Sequence, residues 1–300
     1  MQPYLIKSIS QMNSDKGVFN KHPLITVFNQ KGAKALEARL YQTELYMIFL
    51  KDSVCAEIVY GRRKYDYQEG TLVFMEPGQQ FGLEFKNIPM GEPNGWALAF
   101  HPDLLKQSRL QYAIKNFTFF SYAVHEALHL SNQERELISD QFSQLAREIE
   151  RYDDQHSNSL ILTHLELILT YAARYYERQF STRLNNETDF SERFLAVLRS
   201  YLDDSLMVKQ GPPNVTYCAQ KMGFSANYLG DLTRQKLGIS AKTFIDEFLV
   251  NTAREKLRYS PVLSIKQIAH SLGFEYQNHF SRFFKKHTQQ TPSEFRSLIQ

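Results

Sequence analysis

Residues 219–224 read AQKMGF, and residues 269–274 read AHSLGF, fifty positions further along the chain. After the glycine the offset between the two copies becomes 51, so that Leu229 matches Phe280 and Phe244 matches Phe295. Small residues, glycines and apolar residues recur at matching positions of the two copies. A repeat of this length indicates one structural unit that occurs twice. The repeat therefore decides how the C-terminal third of the chain folds.

Each copy contains the parts of a helix-turn-helix unit. A short helix is predicted over Val215–Met222 in the first copy and over Ile265–Leu272 in the second, where Ser264 and Gln267 form a capping box. Glycine follows at the turn, because a positive φ angle is least costly there. The second helix of each copy has an apolar stripe that would hold it against the first: Tyr228, Leu229 and Leu232 in one copy, and Phe280, Phe283 and Phe284 in the other.

The opposite face of each second helix is free to contact another molecule. Amide side chains pair with adenine and arginine pairs with guanine in the major groove, so we predict base-reading residues on these faces. In the second copy they are Tyr276, Gln277, Asn278, His279 and Arg282, and in the first Ser225, Asn227 and Asp231. Asp231 either accepts a hydrogen bond from cytosine or points away from the DNA. We therefore expect the first copy to contribute less specificity.

The C-terminal part of the chain is basic. Residues 189–300 contain 15 Lys and Arg against 10 Asp and Glu, whereas residues 1–188 contain 20 against 22. This asymmetry indicates a polyanionic partner, although surface charge on an ordinary helical domain would look similar. A long helix over about 241–260 would hold the two recognition helices about 34 Å apart, one turn of DNA. Candidate phosphate contacts are Arg234, Arg254, Lys256, Arg258, Lys266, Lys285, Lys286 and Arg296.

The first hundred residues have the pattern of short strands separated by turn residues, which favours an antiparallel sandwich or barrel. The predicted strands are Leu24–Phe28, Tyr46–Leu50, Val54–Tyr60, Lys64–Tyr67, Leu72–Met75, Gly82–Phe85 and Trp96–Phe100. Two amphipathic helices follow as a hairpin. The first begins with a capping box at Ser131 and Glu134, and the second spans Leu160 to Phe180. The hairpin either covers the sheet or forms a dimer interface.

The C-terminal region, about Phe190 to Gln300, closely resembles the AraC family of bacterial transcription regulators. The resemblance is carried by SIKQIAHSLGF at 264–274, FSRFFKK at 280–286 and TPSEFR at 291–296. The chain departs from the family in two turns. Thr288-Gln289-Gln290 stands where glycine often precedes the final Thr-Pro, and Ala241 replaces a proline. Asp231 stands where relatives often carry arginine.

The N-terminal half resembles the cupin-like sensing domain of the same family, through GTLVFMEPG at 70–78 and the segment Trp96–Leu105. The resemblance implies a two-domain α+β protein with an N-terminal cupin-like β-barrel and helical hairpin. Its C-terminal all-α domain would carry two helix-turn-helix motifs. The expected boundaries are 1–180 for sensing and dimerisation, 181–189 for the linker and 190–300 for DNA binding.

The resemblance implies an effector-responsive regulator, more consistent with activation than with repression. Its partners would be double-stranded promoter DNA, a small-molecule effector, a second copy of the chain and RNA polymerase. No cofactor is expected. One alternative keeps the DNA binding but uses the barrel only for assembly.

A second alternative is a cupin metalloenzyme. The chain has no HxH motif and no histidine between Tyr60 and Gly78, and His101 stands alone, which fits packing or a turn cap better than metal binding. Common hydrolase, P-loop and zinc-protease motifs are absent from the sequence as well. We therefore expect a protein that is not an enzyme.

Location is predicted from what the sequence lacks. No run approaches the roughly 20 apolar residues that span a bilayer, and no signal peptide is recognised. Cys55 and Cys218 lie far apart without CxxC spacing, which is typical of buried thiols in a reducing compartment. A cytoplasmic protein without membrane contact is expected.

Overall fold

The structure is a computed structural model. It describes residues 2–19, 22–34, 37, 39–51, 57–60, 63–64, 70–84, 94–151, 154–183 and 187–299 of the 300. It divides into two compact units, Met1–Gln179 and Phe180–Gln300. Parts of three predicted strands, at 54–56, 65–67 and 85, lie outside the described residues, as does Cys55.

The N-terminal unit contains two five-stranded sheets, with strand orders β1-β3-β8-β5-β6 and β10-β7-β4-β9-β2. Four strands, β2, β4, β7 and β9, begin and end within one residue of the prediction. The strands are β1 Tyr4–Ile6, β2 Ile25–Asn29, β3 Leu40–Thr43, β4 Tyr46–Lys51, β5 Glu57–Tyr60, β6 Arg63–Lys64, β7 Thr71–Met75, β8 Gln80–Glu84, β9 Gly95–Phe100 and β10 Leu128–His129.

The expected cupin-like β-barrel is not confirmed in the part of the chain that the structure describes, where the strands form two separate sheets. Neither sheet closes on itself there, and β1 pairs with β3 in parallel, Tyr4 lying beside Tyr41. Strand positions follow from local residue types and the turn residues between them, whereas closure depends on pairing between strands that are distant in sequence. The predictions also missed β1, β3 and β10, which are only two to four residues long.

The core of this unit lies between the two sheets. One sheet contributes Ile6, Tyr41 and Phe81, and the other contributes apolar residues from β2, β4, β7 and β9. A helix that was not predicted, α1 (Ile9–Lys16), adds Ile9 and Met12 to the same core. Ser8 caps this helix by accepting a hydrogen bond from Gln11 N. Burial of these side chains from water is the main stabilising contribution to the sandwich.

Short helical turns connect the sheets to the helical hairpin, and α2 (Leu110–Ala113) is the one α-helical turn among those described. His101 caps the first turn: its Nδ1 accepts a hydrogen bond from Asp103 N at 3.2 Å, as expected for a capping histidine. The hairpin itself is α3 (Asn132–Glu150) and α4 (Ser157–Arg183). The predicted capping box is present, with hydrogen bonds in both directions between Ser131 and Glu134.

The buried stripe of the hairpin covers the sheet. Phe142 of α3 lies 6.2 Å from the ring of Trp96 on β9, and Tyr176 of α4 lies 6.2 Å from Phe74 on β7. Of the two alternatives, sheet covering is therefore shown for Phe142 and Tyr176. Helix α4 continues through residues 181–183, and the next helix starts at 187, so the described part of the predicted linker, 181–189, is helical. The domain boundaries themselves stay predictions.

The C-terminal unit is helical. Its helices α7, α9 and α10 match the predicted bounds to within one residue, because capping residues and glycine turns are local signals. The helices are α5 Glu187–Asp203, α6 Leu206–Gln210, α7 Val215–Met222, α8 Ala226–Leu237, α9 Ala241–Tyr259, α10 Ile265–Ser271, α11 Gln277–Thr288 and α12 Pro292–Ile299.

None of the described helices combines the length and the apolar character needed to cross a membrane.

Candidate nucleic-acid interface

Helices α7 and α8 form the first helix-turn-helix unit. Asn214 caps α7 by accepting a hydrogen bond from Tyr217 N at 2.9 Å, and Gly223 ends the helix with φ of 84°. The inner face is closely packed, because Ala219 and Leu229 are fully buried. Cys218 is buried on the same face, and desolvation raises the pKa of its thiol to about 12, so it serves as a small apolar side chain.

Helices α10 and α11 form the second unit. The predicted capping box is present, since Ser264 Oγ accepts from Gln267 N and Gln267 Oε1 accepts from Ser264 N. The chain turns at Gly273, where φ is 82°. Phe280 and Phe284 of α11 are fully buried, which fixes the helix against its neighbours. The opposite face of α11 is thereby held outward.

The outward face of α11 carries the residues predicted to read bases. Gln277, Asn278, His279 and Arg282 are all exposed. Arg282 makes no hydrogen bond or ion pair with any residue that the structure describes. Tyr276 lies one residue before the helix, 56% exposed, with its ring 5.4 Å from that of His279. A hydrogen bond with Glu275 raises the pKa of the Tyr276 hydroxyl.

The outward face of α8 is different in chemistry. Asn227 and Arg234 are exposed, but Asp231 forms an ion pair with Arg234, Oδ1 to Nη1 at 3.4 Å. Ser225, also predicted to read bases, caps the helix: its Oγ accepts a hydrogen bond from Tyr228 N at 3.3 Å.

Gly230 lies between Asn227 and Asp231 on the outward face of α8 and was missed by the sequence analysis. A glycine inside a predicted helix was the signal that could have identified it.

Most predicted phosphate contacts lie at the surface. Arg234, Lys266, Lys285 and Lys286 are exposed, as are Arg254 and Arg258 of α9. Lys256 is half-buried. Arg296 on α12 is placed differently from the others. Its Nε and Nη2 atoms are buried and have no hydrogen-bond partner among the described residues, so its guanidinium presents less surface to a phosphate than the other basic side chains.

The two recognition helices end in the same backbone conformation with different residues. Helix α8 ends at Gly238 with φ of 70°, and α11 ends at Gln289 with φ of 64°. These positions are equivalent at the offset of 51 in the repeat. Left-handed backbone costs a residue with a Cβ about 1–2 kcal/mol, which glycine avoids. The departure from the family noted at 288–290 thus lies at a strained cap.

Replacing Gln289 with glycine is expected to stabilise the C-terminal unit by about 0.5–1 kcal/mol. The relief of left-handed strain exceeds the added entropy of the unfolded chain. Urea denaturation followed by far-UV circular dichroism would measure the change. Gln290→Gly is the matched control, because Gln290 does not have a positive φ angle, and it should be neutral or destabilising. Equal stabilisation by both variants would refute the argument.

The residues that the structure describes contain no group of three or more His, Cys, Asp or Glu side chains placed to hold a metal ion.

Residues 218–297 match the family described as "Helix-turn-helix domain". The chain is 31% identical over 142 residues to the uncharacterized HTH-type transcriptional regulator YfiF of Bacillus subtilis, covering 47% of this chain and 41% of that protein. It is 34% identical over 84 residues to the arabinose operon regulatory protein of Escherichia coli, covering 28% of each. These segments span less than half the length of either relative.

Among solved structures, a transcriptional regulator from Chromobacterium violaceum with an AraC-type DNA-binding domain is 29% identical. The match covers 37% of this chain and 96% of that one, with a TM-score of 0.30.

Proposed function

Because the C-terminal unit is an AraC-type helix-turn-helix domain, we propose that the protein is a sequence-specific transcription regulator that binds double-stranded promoter DNA. The observation that carries this proposal is the outward face of α11. This face carries exposed amide and guanidinium groups, including those of Asn278 and Arg282. The opposite face of the helix is buried through Phe280 and Phe284, which fixes its orientation. A rigid helix with such groups suits the major groove.

Binding would combine two kinds of contact. Lys266, Lys285 and Lys286 are exposed cations that suit the phosphate backbone, which provides affinity without sequence preference. The side chains at the start and middle of α11 would supply the sequence preference. Affinity should therefore fall as salt rises, while the preferred sequence stays the same.

The test is selection of bound sequences from random duplex DNA with the full-length protein, followed by affinity measurements at two salt concentrations. We expect a motif of two blocks about one helical turn, about 34 Å, apart. Failure to enrich any sequence, both with the full chain and with residues 181–300 alone, would refute the proposal. Enrichment only by the shorter segment would instead indicate that the full chain needs its effector to bind.

We propose that the N-terminal unit is a cupin-like sensor of a small molecule, and that its effector shifts promoter occupancy. The resemblance at 70–78 and the apolar, aromatic core between two sheets support this role. A ligand that raises the melting temperature of the protein would support sensing. If no ligand does so, the alternative in which the unit serves only assembly is favoured.

We propose a homodimer as well. Covering the sheet leaves Leu160 and Leu167 of α4 exposed by 44% and 38%, two turns apart on one helix. Exposed leucines in this arrangement suit a second copy of the hairpin. Sedimentation equilibrium of the full chain would test this, with a monomer at micromolar concentration as the contradicting result.

Activation of transcription would proceed through contact with RNA polymerase at the promoter. No catalytic activity is proposed, since the relatives are regulators.

A further inference from the structure

The outward faces of the two recognition helices can be compared position by position through the offset of 51. The outer positions keep their chemistry, since an asparagine begins each face and a basic residue ends it. The two middle positions change. The four pairs are Asn227 with Asn278, Gly230 with Ser281, Asp231 with Arg282, and Arg234 with Lys285.

The change from Arg282 to Asp231 reverses the charge at that position and leaves the outward face of α8 neutral. On α11 the four positions carry two positive charges, whereas on α8 the charges of Asp231 and Arg234 cancel. The ion pair of 3.4 Å joins a carboxylate whose side chain is 20% exposed to a guanidinium that is 69% exposed. Arg234 therefore offsets the negative charge while keeping most of its own surface open. This pairing lowers the repulsion that a lone carboxylate would meet near phosphates.

Gly230 is not required by the protein's own packing. A Cβ built on Gly230 would meet no heavy atom within 4 Å, and its backbone is ordinary helix rather than left-handed. Glycine in the middle of a helix lowers stability relative to alanine, so its presence needs another reason. It leaves the outward backbone of α8 bare, which allows another molecule to approach closely.

A carboxylate discriminates between base edges because it cannot donate a hydrogen bond. It only accepts hydrogen bonds, so it is repelled by the O6 and N7 acceptors of guanine that arginine prefers. The major-groove donors are the amino groups of cytosine and adenine. Adenine presents its N7 acceptor beside the amino group, whereas cytosine presents the amino group alone. A carboxylate in the groove therefore favours cytosine.

We propose that Asp231 is the specificity-determining residue of the first helix-turn-helix unit, and that it accepts a hydrogen bond from the N4 amino group of a cytosine. Gly230 lets the α8 backbone come close to that base pair, and Arg234 bridges Asp231 to the neighbouring phosphate. The two units thus recognise opposite hydrogen-bonding groups. Helix α11 binds the acceptors of guanine through Arg282, and α8 binds the amino donor of cytosine through Asp231. This inference rests on the proposed DNA binding.

The test repeats the selection from random duplex DNA with the wild-type protein, Asp231→Asn and Asp231→Ala. The wild-type motif should have one cytosine position in the block that the first unit contacts. Asp231→Asn should shift that position toward adenine, since asparagine pairs with both the N6 and N7 atoms of adenine. Asp231→Ala should lose the preference and bind the wild-type site about tenfold more weakly. The other block should remain unchanged in all three proteins.

Arg234→Ala is the matched control, because it breaks the same ion pair but keeps the carboxylate. It should weaken binding to all sequences and retain the cytosine preference. An unchanged first block in Asp231→Ala, or a wild-type motif without cytosine there, would overturn the inference while leaving DNA binding intact. A wild-type protein that enriches no block, with or without its N-terminal unit, would overturn the proposed function together with the inference.

Discussion

Replacing Gly273 with alanine is expected to destabilise the C-terminal unit by about 2–5 kcal/mol and to abolish DNA binding. Two costs add at this position. The φ angle of 82° is left-handed, which costs a residue with a Cβ about 1–2 kcal/mol. A Cβ would also lie 2.6 Å from Gly211 C and from Met207 O, far inside van der Waals contact. Forcing atoms into packed structure costs a further 1–3 kcal/mol or so.

The neighbouring backbone is poorly placed to move aside. The carbonyl oxygen of Gly211 accepts a hydrogen bond of 3.0 Å from the hydroxyl of Tyr201, and Gly211 N donates to Met207 O at 2.9 Å. Tyr201 is itself buried, and its ring lies 4.7 Å from that of Tyr217. Relief of the clash would therefore disturb α5, α6 and α7 as well as the turn. The second helix-turn-helix unit would lose its position before the first.

Gly238→Ala is the matched control for this prediction. Gly238 has φ of 70°, but a Cβ there would meet nothing within 4 Å, so only the backbone cost of about 1–2 kcal/mol applies. Far-UV circular dichroism in urea would follow the helices. Fluorescence of the single tryptophan, Trp96, would report on the N-terminal unit, whose transition should be unchanged. Equal losses in the two variants would show that the close backbone approach contributes nothing.

The contrast between these glycines shows where sequence reasoning reaches its limit. The turn at Gly273 was predicted because positive φ is a local property of the chain. Its approach to the backbone of 207–212 was not, since that contact joins segments about sixty residues apart. In the N-terminal unit the same limit appears in the sheets. Strand β4 was predicted from its own run of apolar and aromatic residues, but the parallel pairing of β1 with β3 follows from tertiary packing.

In the candidate interface, too, some features follow from the local sequence and others depend on tertiary neighbours. The exposure of Asn278 and Arg282 on α11 follows from helical spacing, because the buried phenylalanines fix which side faces outward. The spacing of Asp231 and Arg234 permits an ion pair but equally permits each side chain to point elsewhere. Arg296 has a basic side chain near the end of the chain, yet two of its nitrogen atoms are buried. Side-chain placement of this kind depends on neighbours that the sequence pattern does not identify.

Arg282→Ala is expected to weaken binding to the selected site by about 5- to 150-fold, or 1–3 kcal/mol, and to change binding to unrelated DNA much less. The reason lies in the surroundings of the side chain. Arg282 is exposed near the centre of the outward face, and no described residue pairs with it, so no protein contact has to be broken before it binds a base. Its planar guanidinium matches the O6 and N7 acceptors of guanine with two parallel hydrogen bonds.

Two further variants separate base reading from general attraction to DNA. Lys285→Ala removes an exposed charge one turn further along α11 and should weaken all sequences by a similar factor, reducing the slope of log affinity against log salt by about 1. Arg282→Lys keeps the charge but loses the bidentate geometry, so it should bind unrelated DNA as the wild-type protein does and still lack the preference for the selected site. If Arg282→Ala and Lys285→Ala weaken every sequence equally, α11 does not read bases through Arg282, and the preference must come from Gln277 and Asn278.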